Sequence, residues 1–222
     1  MGVRVIELEE RGPVRVVHWR DGENRFNRNS LDRWDEVLTD LESIDGPLAV
    51  VITGEGKFFS NGLDLEALVD RPGELGGVIA GLHGILARLL VFPAYTVAAI
   101  NGHAFAAGAM FASVLDARVM RDDRGYWCLP EVDLGLPLTK QMTAAVTARL
   151  PLPAVLDAML TGRRYGAAEA VAAGLVDEKA PEVDVVERAV ERAAAIANKD
   201  RSVIATHKKL VLGSAALICA DR

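Results

Sequence analysis

The chain has 222 residues, half of them hydrophobic and a quarter charged, and carries a net charge of −6 at pH 7. It can bury a sizeable core as one domain, and its acidity offers no basic field for nucleic acid or an anionic membrane. No apolar run approaches the roughly 20 residues of a membrane-spanning helix. Its two cysteines, Cys128 and Cys219, are too few for a disulfide framework or a metal site. We therefore predict a reduced, cytoplasmic protein that binds no metal, nucleic acid or membrane.

The first half of the chain alternates predicted strands and helices. Residues 3–8 and 14–19 alternate in hydrophobicity and predict two paired strands around a turn at Gly12 and Pro13. Ser30 is predicted as the N-cap of a helix whose apolar residues recur every three or four positions. The continuously apolar stretch 48–53 predicts a buried strand.

A second unit repeats this order. It comprises a helix over residues 78–90, a strand over 95–100, a Gly/Ala-rich helix over about 104–115 and a strand over 117–120. Strands that alternate with helices favour a mostly parallel sheet with right-handed crossovers. From Thr139 onward the sequence predicts helices, among them 156–160, 167–173 and 185–197, separated by Gly162, Gly174 and Pro181.

A lone acid, Glu131, stands in the apolar segment 126–137, and two small-residue turns precede it at 59–64 and 101–108. A carboxylate in apolar surroundings can take up and return a proton, and two backbone N–H groups can stabilise an oxyanion. These are the requirements for moving a proton next to a thioester carbonyl.

Four stretches of the chain, 56–65, 99–108, 129–136 and 160–177, resemble the crotonase superfamily, the enoyl-CoA hydratase/isomerase family. The resemblance implies an α/β fold with a ββα spiral core over residues 1–178. It also implies a C-terminal helical trimerisation region over 179–222, packed on the core or on a neighbouring subunit. The resemblance further implies that the protein assembles as a homotrimer or a dimer of trimers and that its substrate is an acyl-CoA thioester. CoA is then part of the substrate, and no further cofactor is expected.

The resemblance also assigns roles to individual positions. Glu131 falls at the catalytic acid, and the backbone N–H groups of Leu63 and Ala107 fall at the oxyanion hole. Substrate or CoA contacts are expected at Ser60, Asn61, Gly62, Asp64, Gly108 and Met110.

Met110 separates two reactions of the family. Hydratases of the family use two glutamates to hold and activate a water, and the first of them falls at Met110, which can do neither. With Glu131 alone, the resemblance favours Δ3-Δ2-enoyl-CoA isomerisation in the β-oxidation of unsaturated fatty acids. Glu131 would move a proton from C2 to C4 through an oxyanion-stabilised dienolate. We expect an apolar lining to raise the pKa of Glu131, supplied by Phe105, Met110, Leu129, Val132 and Leu134.

Other readings stay open on the sequence alone. One is a hydratase or another enolate-forming enzyme of the family with an unrecognised second acid, for which Asp116 and Asp133 are weak candidates. Another is a catalytically weak acyl-CoA-binding protein. A dienoyl-CoA isomerase is disfavoured, because such family members carry an aspartate where this chain has Thr139.

One histidine and three lysines are further candidates for contacts with the ligand. His103 either bonds backbone within its turn or touches the ligand. The candidates for the CoA phosphates are Lys57, Lys208 and Lys209, which are otherwise predicted to be solvated surface lysines.

Overall fold

A computed structural model describes residues 5–221 of the chain, so the start of the strand predicted over 3–8 lies outside the described residues. The strands are β1 (Ile6–Arg11), β2 (Val14–Trp19), β3 (Ala49–Thr53), β4 (Phe58–Ser60), β5 (Tyr95–Ile100), β6 (His103–Phe105), β7 (Ala117–Arg121), β8 (Trp127–Cys128) and β9 (Glu178–Ala180). The helices are α1 (Arg28–Glu42), α2 (Leu65–Asp70), α3 (Leu75–Leu90), α4 (Ala107–Val114), α5 (Glu131–Leu134), α6 (Lys140–Thr147), α7 (Leu152–Thr161), α8 (Ala167–Ala172), α9 (Val185–Ala197) and α10 (Arg201–Ala220).

The larger sheet has the strand order β1-β2-β3-β5-β7-β9. Its β1–β2 pair is an antiparallel hairpin that turns at Gly12, where φ is +60°, and every other pair is parallel. The predicted α/β class and mostly parallel sheet are therefore confirmed. The smaller sheet, β4-β6-β8, is wholly parallel. Its strands were not predicted, because two or three residues are too few to show a hydrophobic period.

Strand β3 shows why the larger sheet needs cover on both sides. All five of its residues are buried, with Val50 and Ile52 facing one apolar cluster and Ala49 and Val51 facing another. Helix α9 supplies the cover on the second side through its alanines. The predicted boundary between residues 178 and 179 falls inside β9, and the division of the chain into two parts stays a prediction.

Two predicted helix starts are wrong by a few residues. The N-cap of α1 is Asn27 and not Ser30. The Asn27 side chain accepts from the Ser30 N–H at 3.0 Å, while the Ser30 hydroxyl accepts from the Asn27 N–H at 2.9 Å. This reciprocal capping box uses both residues, which is why the local pattern could not choose between them. The helix predicted from about 104 begins at Ala107, because residues 103–105 pair as β6.

The last helix, α10, was not delimited by the sequence. It has 20 residues and a window with a mean hydropathy of 1.4, so by length and composition alone it could cross a membrane. It also runs along α3 and α6, and its Lys208 side chain is only 7% exposed. The Lys208 ammonium forms an ion pair with Asp116 and donates to the Ala94 carbonyl at 2.8 Å. A buried lysine engaged with the core makes α10 part of the folded body.

Asp116, which follows α4, is the centre of this attachment. Its carboxylate accepts from the Thr96 N–H at 2.8 Å and the Thr96 hydroxyl at 3.0 Å, and Arg149 lies 3.2 Å away. Burial lowers the pKa of Lys208, while Asp116 acts in the opposite direction. Asp116 thus joins β5, the end of α4, the segment after α6 and the middle of α10.

We predict that Asp116→Asn lowers the free energy of unfolding by about 3–5 kcal/mol, because it leaves the Lys208 charge buried without its partner. Denaturation by urea measures this. The double variant with Lys208→Met should recover much of the loss, since it removes the stranded charge. Lys209→Met, on the exposed neighbour, serves as the control. A loss under about 0.5 kcal/mol for Asp116→Asn, the size of an ordinary surface change, would contradict the assigned role.

Candidate active site

The three strands of the smaller sheet end at one common edge. Because β4, β6 and β8 are parallel, the segments that follow them leave the sheet on the same side. These segments are 61–64 after β4, 106–108 after β6 and 129–131 after β8, and they contain both small-residue turns and Glu131. The carboxyl edge of parallel strands is where ligands bind in open α/β sheets. The structure therefore brings together the stretches that the sequence had singled out separately.

The two turns touch through their backbones. A Cβ atom on Gly108 would lie 2.3 Å from the Ser60 carbonyl oxygen, and one on Gly62 would lie 3.3 Å from the Ala107 nitrogen. Gly62 also has a φ of +82°, which side chains other than that of glycine rarely adopt. Both glycines are required for this close approach.

The N–H groups of Leu63 and Ala107 have no hydrogen-bond acceptor in the described part of the chain. Phe26 holds the first turn: its N–H donates to the Gly62 carbonyl at 2.8 Å, and its carbonyl accepts from the Asp64 N–H at 2.9 Å. Within residues 5–221, neither the Leu63 N–H nor the Ala107 N–H finds an acceptor. Ala107 is the first residue of α4, where an N–H has no intrahelical partner and the helix dipole favours negative charge. The two groups can therefore donate to an anionic oxygen.

Ala106, between β6 and α4, carries backbone strain. Its φ of 51° and ψ of −123° lie in a region that favours glycine. Such a conformation costs of order 1–3 kcal/mol and persists only when its surroundings enforce it. Here the Ala106 N–H donates to the Cys128 carbonyl at 3.0 Å, and its carbonyl accepts from the Met110 N–H at 3.0 Å. These bonds fix the turn that aims the Ala107 N–H, a feature without any signal in the sequence.

Glu131 is the first residue of α5 and is 9% exposed. Burial raises the pKa of its carboxyl to about 7, with a hydrogen bond from its own backbone N–H opposing the shift. Its Oε2 is buried and has no hydrogen-bond partner among the described residues. A carboxyl with this pKa and one unengaged oxygen can act as a base and then as an acid near neutral pH.

The five residues predicted to line Glu131 differ in their burial. Met110, one turn into α4, and Leu129 are buried in the main core. Val132 and Leu134 are 49% and 54% exposed. The Phe105 ring lies against the His103 ring, with ring centres 4.8 Å apart and the planes tilted by 43°. Burial of Glu131 therefore does not depend on all five predicted residues.

The polar side chains of the first turn are used within the protein. The Ser60 hydroxyl donates to the Asn24 carbonyl at 2.6 Å, and the Asn61 amide donates to Glu23 at 2.8 Å. Asp64 lies 3.6 Å from Arg25, a residue that the sequence analysis missed. A contact from this turn to a ligand would therefore come from its backbone. Beside it lies a cleft of about 200 Å³, lined by Asp21, Glu23, Arg25, Asn27 and Asp64.

Several secondary candidates have structural roles. Asp116 is engaged by Lys208, so both its role as a second acid and the phosphate role of Lys208 are wrong. Thr139 is the N-cap of α6: its hydroxyl accepts from the Met142 N–H at 3.1 Å and pairs with the His83 Nε2 at 3.0 Å. His103 lies in β6, so the predicted backbone hydrogen bond within a turn is wrong, and its Nδ1 has no partner among the described residues.

Comparison with known proteins identifies the family. Residues 13–216 match the family model described as enoyl-CoA hydratase/isomerase. The chain is 37% identical to enoyl-CoA delta isomerase 3 of Arabidopsis thaliana, over 91% of this chain and 90% of that protein. It is 35% identical to a putative enoyl-CoA hydratase of Thermus thermophilus, over 91% and 82%.

Solved structures agree with this assignment. A probable enoyl-CoA hydratase from Mycobacterium tuberculosis superposes with a TM-score of 0.90 at 26% identity, covering 97% of this chain and 92% of that one. A second structure of the same protein, described as an enoyl-CoA isomerase, gives 0.88 at 27%, covering 97% and 94%. Because one protein carries both descriptions, these two structures do not select the reaction. With the family model matching most of its length, the chain belongs to the enoyl-CoA hydratase/isomerase family, the crotonase superfamily.

Proposed function

We propose that this family member is a Δ3-Δ2-enoyl-CoA isomerase that works with a single carboxyl, Glu131. The observation that carries the proposal is the state of this carboxyl: buried, with a pKa of about 7 and an unengaged Oε2. The similarity to an enoyl-CoA delta isomerase of Arabidopsis thaliana supports it. The substrate is then a 3-enoyl thioester of CoA.

The reaction needs one proton transfer in each direction. The Glu131 carboxylate removes the proton from C2, and the electron pair of that C–H bond delocalises over the thioester and the C3–C4 double bond. The resulting dienolate places negative charge on the thioester oxygen. The Leu63 and Ala107 N–H groups donate hydrogen bonds to this oxygen and stabilise its charge. The protonated Glu131 then returns the proton to C4, and the double bond lies between C2 and C3. The carboxylate is regenerated, and no other reactant is consumed.

Met110 favours isomerisation over hydration. Hydration adds a water that must be oriented and deprotonated, whereas the side chain one turn into α4 is a buried thioether. An apolar wall also keeps water away from the dienolate. The similarity to a putative hydratase of Thermus thermophilus keeps hydration as the second candidate.

The remaining assignments are proposals of the same kind. The backbone of residues 60–64 meets the CoA moiety, and Lys57 and Lys209 are left as candidates for its phosphates. Assembly as a homotrimer or a dimer of trimers fits the exposed apolar side chains of α10, namely Val203, Leu210, Val211 and Leu217. A cytoplasmic location and the absence of a cofactor other than the CoA of the substrate complete the proposal.

Glu131→Gln should lower the isomerisation of cis-3-hexenoyl-CoA about 10²- to 10⁴-fold, because the amide cannot take up the C2 proton. The assay follows formation of the conjugated 2-enoyl thioester, with crotonyl-CoA hydration measured in parallel. In the wild type, kcat/KM should rise with pH through about 7, as the carboxylate forms. Asp184→Asn, which neutralises an exposed carboxyl outside the site, is the control. Equal activity of Glu131→Gln and the wild type would refute the proposal.

The same variant tests the burial of Glu131 without reference to substrate. A raised carboxyl pKa means that the folded state holds the proton more tightly. The protonated Glu131 therefore contributes to the unfolding free energy of the wild type. This contribution is fully present below pH 4.5 and is lost as pH rises through about 7. We therefore expect the unfolding free energy of Glu131→Gln, relative to wild type, to increase by about 3 kcal/mol between pH 4 and pH 8. A difference that does not change with pH would show that Glu131 is not desolvated.

Met110→Glu should introduce hydration of crotonyl-CoA, raising its rate by about 10²-fold or more, because a second carboxyl can then orient and deprotonate water. Met110→Gln, which is of similar size but cannot accept a proton, is the control. It should not raise the rate of crotonyl-CoA hydration. If the wild type already hydrates crotonyl-CoA as fast as it isomerises the 3-enoyl substrate, the argument from Met110 is wrong.

A further inference from the structure

The segment that carries Glu131 is held from a second side, across β8 from the two small-residue turns. Strand β8 pairs with β6 along one edge, and residues 162–166, which connect α7 to α8, lie along its other edge. There Trp127 and Tyr165 form an antiparallel bridge, in which the N–H of each donates to the carbonyl of the other at 2.9 Å. The start of the segment 127–133 is therefore attached to this connection.

Gly162, the residue at which α7 ends, contacts this segment both before and after Glu131 in the chain. The Cys128 thiol donates to the Gly162 carbonyl at 3.2 Å. A Cβ atom on Gly162 would lie 2.5 Å from the Asp133 Oδ2 and 2.9 Å from its Cγ, so this carboxyl lies directly against the Gly162 Cα. Cys128 precedes the catalytic acid by three residues, and Asp133 follows it by two.

The position of Gly162 combines two conditions that glycine satisfies. Its φ is +62°, the left-handed conformation that commonly ends a helix. The space in front of its Cα is occupied by the Asp133 carboxyl. Rotation of that carboxyl about its Cβ–Cγ bond leaves Cγ in place. A side chain at residue 162 would therefore require Asp133 to leave its position, or the four-residue helix α5 to move as a whole.

The connection that contains Gly162 is itself fixed to α7. The Tyr165 hydroxyl donates to the Asp157 carboxylate, and the Thr161 hydroxyl donates to the Asp157 carbonyl at 2.6 Å. The Arg163 N–H donates to the Thr161 hydroxyl at 3.2 Å. Burial raises the pKa of Tyr165 to about 12, and its bond to Asp157 acts in the same direction, so the phenol stays a donor. The connection can therefore act as a fixed support for the catalytic segment.

Cys128 extends this support to the oxyanion donors. Its carbonyl accepts from the N–H of the strained Ala106 at 3.0 Å, and Ala106 directly precedes Ala107. Burial raises the pKa of the Cys128 thiol to about 11, so the thiol keeps its proton near neutral pH and remains a donor to Gly162. Gly162 is thus joined through Cys128 to the second oxyanion turn and through Asp133 to the helix of the catalytic acid.

We propose that Gly162 is a positioning residue, which sets the place of Glu131 relative to the two oxyanion N–H groups through its contacts with Cys128 and Asp133. The role rests on the proposed function. One carboxyl must reach both C2 and C4 while the N–H groups hold the thioester oxygen. A misplacement of about 1 Å can cost about 10²-fold in rate. Gly162 itself touches no reacting atom in this role.

Gly162→Ala tests the proposal. We expect kcat for cis-3-hexenoyl-CoA to fall about 10- to 10²-fold and KM to change less than about twofold, because the reacting carboxyl moves and the substrate-binding turn does not. In an Asp133→Ala background the same substitution should lower kcat less than about threefold, since the carboxyl that it displaces is gone. Gly46→Ala is the control: its φ is +81° and no atom lies within 4 Å of the new Cβ, so it adds backbone strain alone. A loss that Asp133→Ala does not relieve would overturn the proposal in favour of strain at residue 162.

NMR titration of the Glu131 carboxyl gives a readout that needs no substrate. The wild-type pKa is about 7 because the carboxyl is buried. Gly162→Ala should lower this pKa, since a displaced α5 exposes the carboxyl to water, and should leave it unshifted in the Asp133→Ala background. A protein that is only destabilised would keep the wild-type pKa. An unchanged pKa together with an unchanged kcat would overturn the role of Gly162, whereas a shifted pKa in a protein without isomerase activity would overturn the proposed function alone.

Two substitutions at Cys128 test the same support without straining the backbone of residue 162, so they do not depend on the folding of Gly162→Ala. Cys128→Ala removes the donor to the Gly162 carbonyl and should lower both kcat and the pKa of Glu131. Cys128→Ser keeps a donor at this position and should retain values near those of the wild type. Wild-type values in Cys128→Ala would overturn the proposal.

Discussion

The geometry of the candidate active site depends on a contact between the backbones of its two small-residue turns. The Ser60 carbonyl lies against Gly108 with no room for a side chain between them, and Gly62, whose φ of +82° favours glycine, makes a tight but less restrictive approach to the Ala107 nitrogen. This contact sets the spacing of the two free N–H groups more firmly than side chains could, because no rotamer is involved. The parallel register of β4, β6 and β8 then determines which third segment joins them. That segment carries Glu131.

The site stores unfavourable free energy that the remainder of the fold must offset. Ala106 holds a conformation suited to glycine, and the buried Oε2 of Glu131 has no partner within residues 5–221. Ala106 directly precedes α4, and the far end of α4 leads to Asp116, where Lys208 and Arg149 meet. The strained end of this helix is thus balanced by a strongly held opposite end. Proteins commonly carry such strain at functional sites.

The sequence predicted the order of the larger strands and helices because those elements are long enough to display a period. It also identified the segments of Leu63, Ala107 and Glu131, through their small residues, the isolated acid and the family resemblance. The pairing of Lys208 with Asp116 could not be predicted, because it joins residues far apart in the chain and both residue types are usually found at the surface. The left-handed φ of Ala106 has no local signal at all.

The contacts of α10 also determine when folding of the chain can be completed. Lys208 reaches the Ala94 carbonyl across 114 positions of the chain, and the same ammonium neutralises Asp116 beside β5 and α4. During synthesis, the segments that form the catalytic edge leave the ribosome long before this lysine does. Until Lys208 arrives, the carboxylate at the base of α4 lacks its buried counter-ion, and the apolar surfaces of α3 and α6 remain uncovered. A nascent chain that already contains Glu131 and both turns therefore still exposes apolar surface that α10 covers in the folded protein, and exposed apolar surface makes an incomplete chain prone to aggregate.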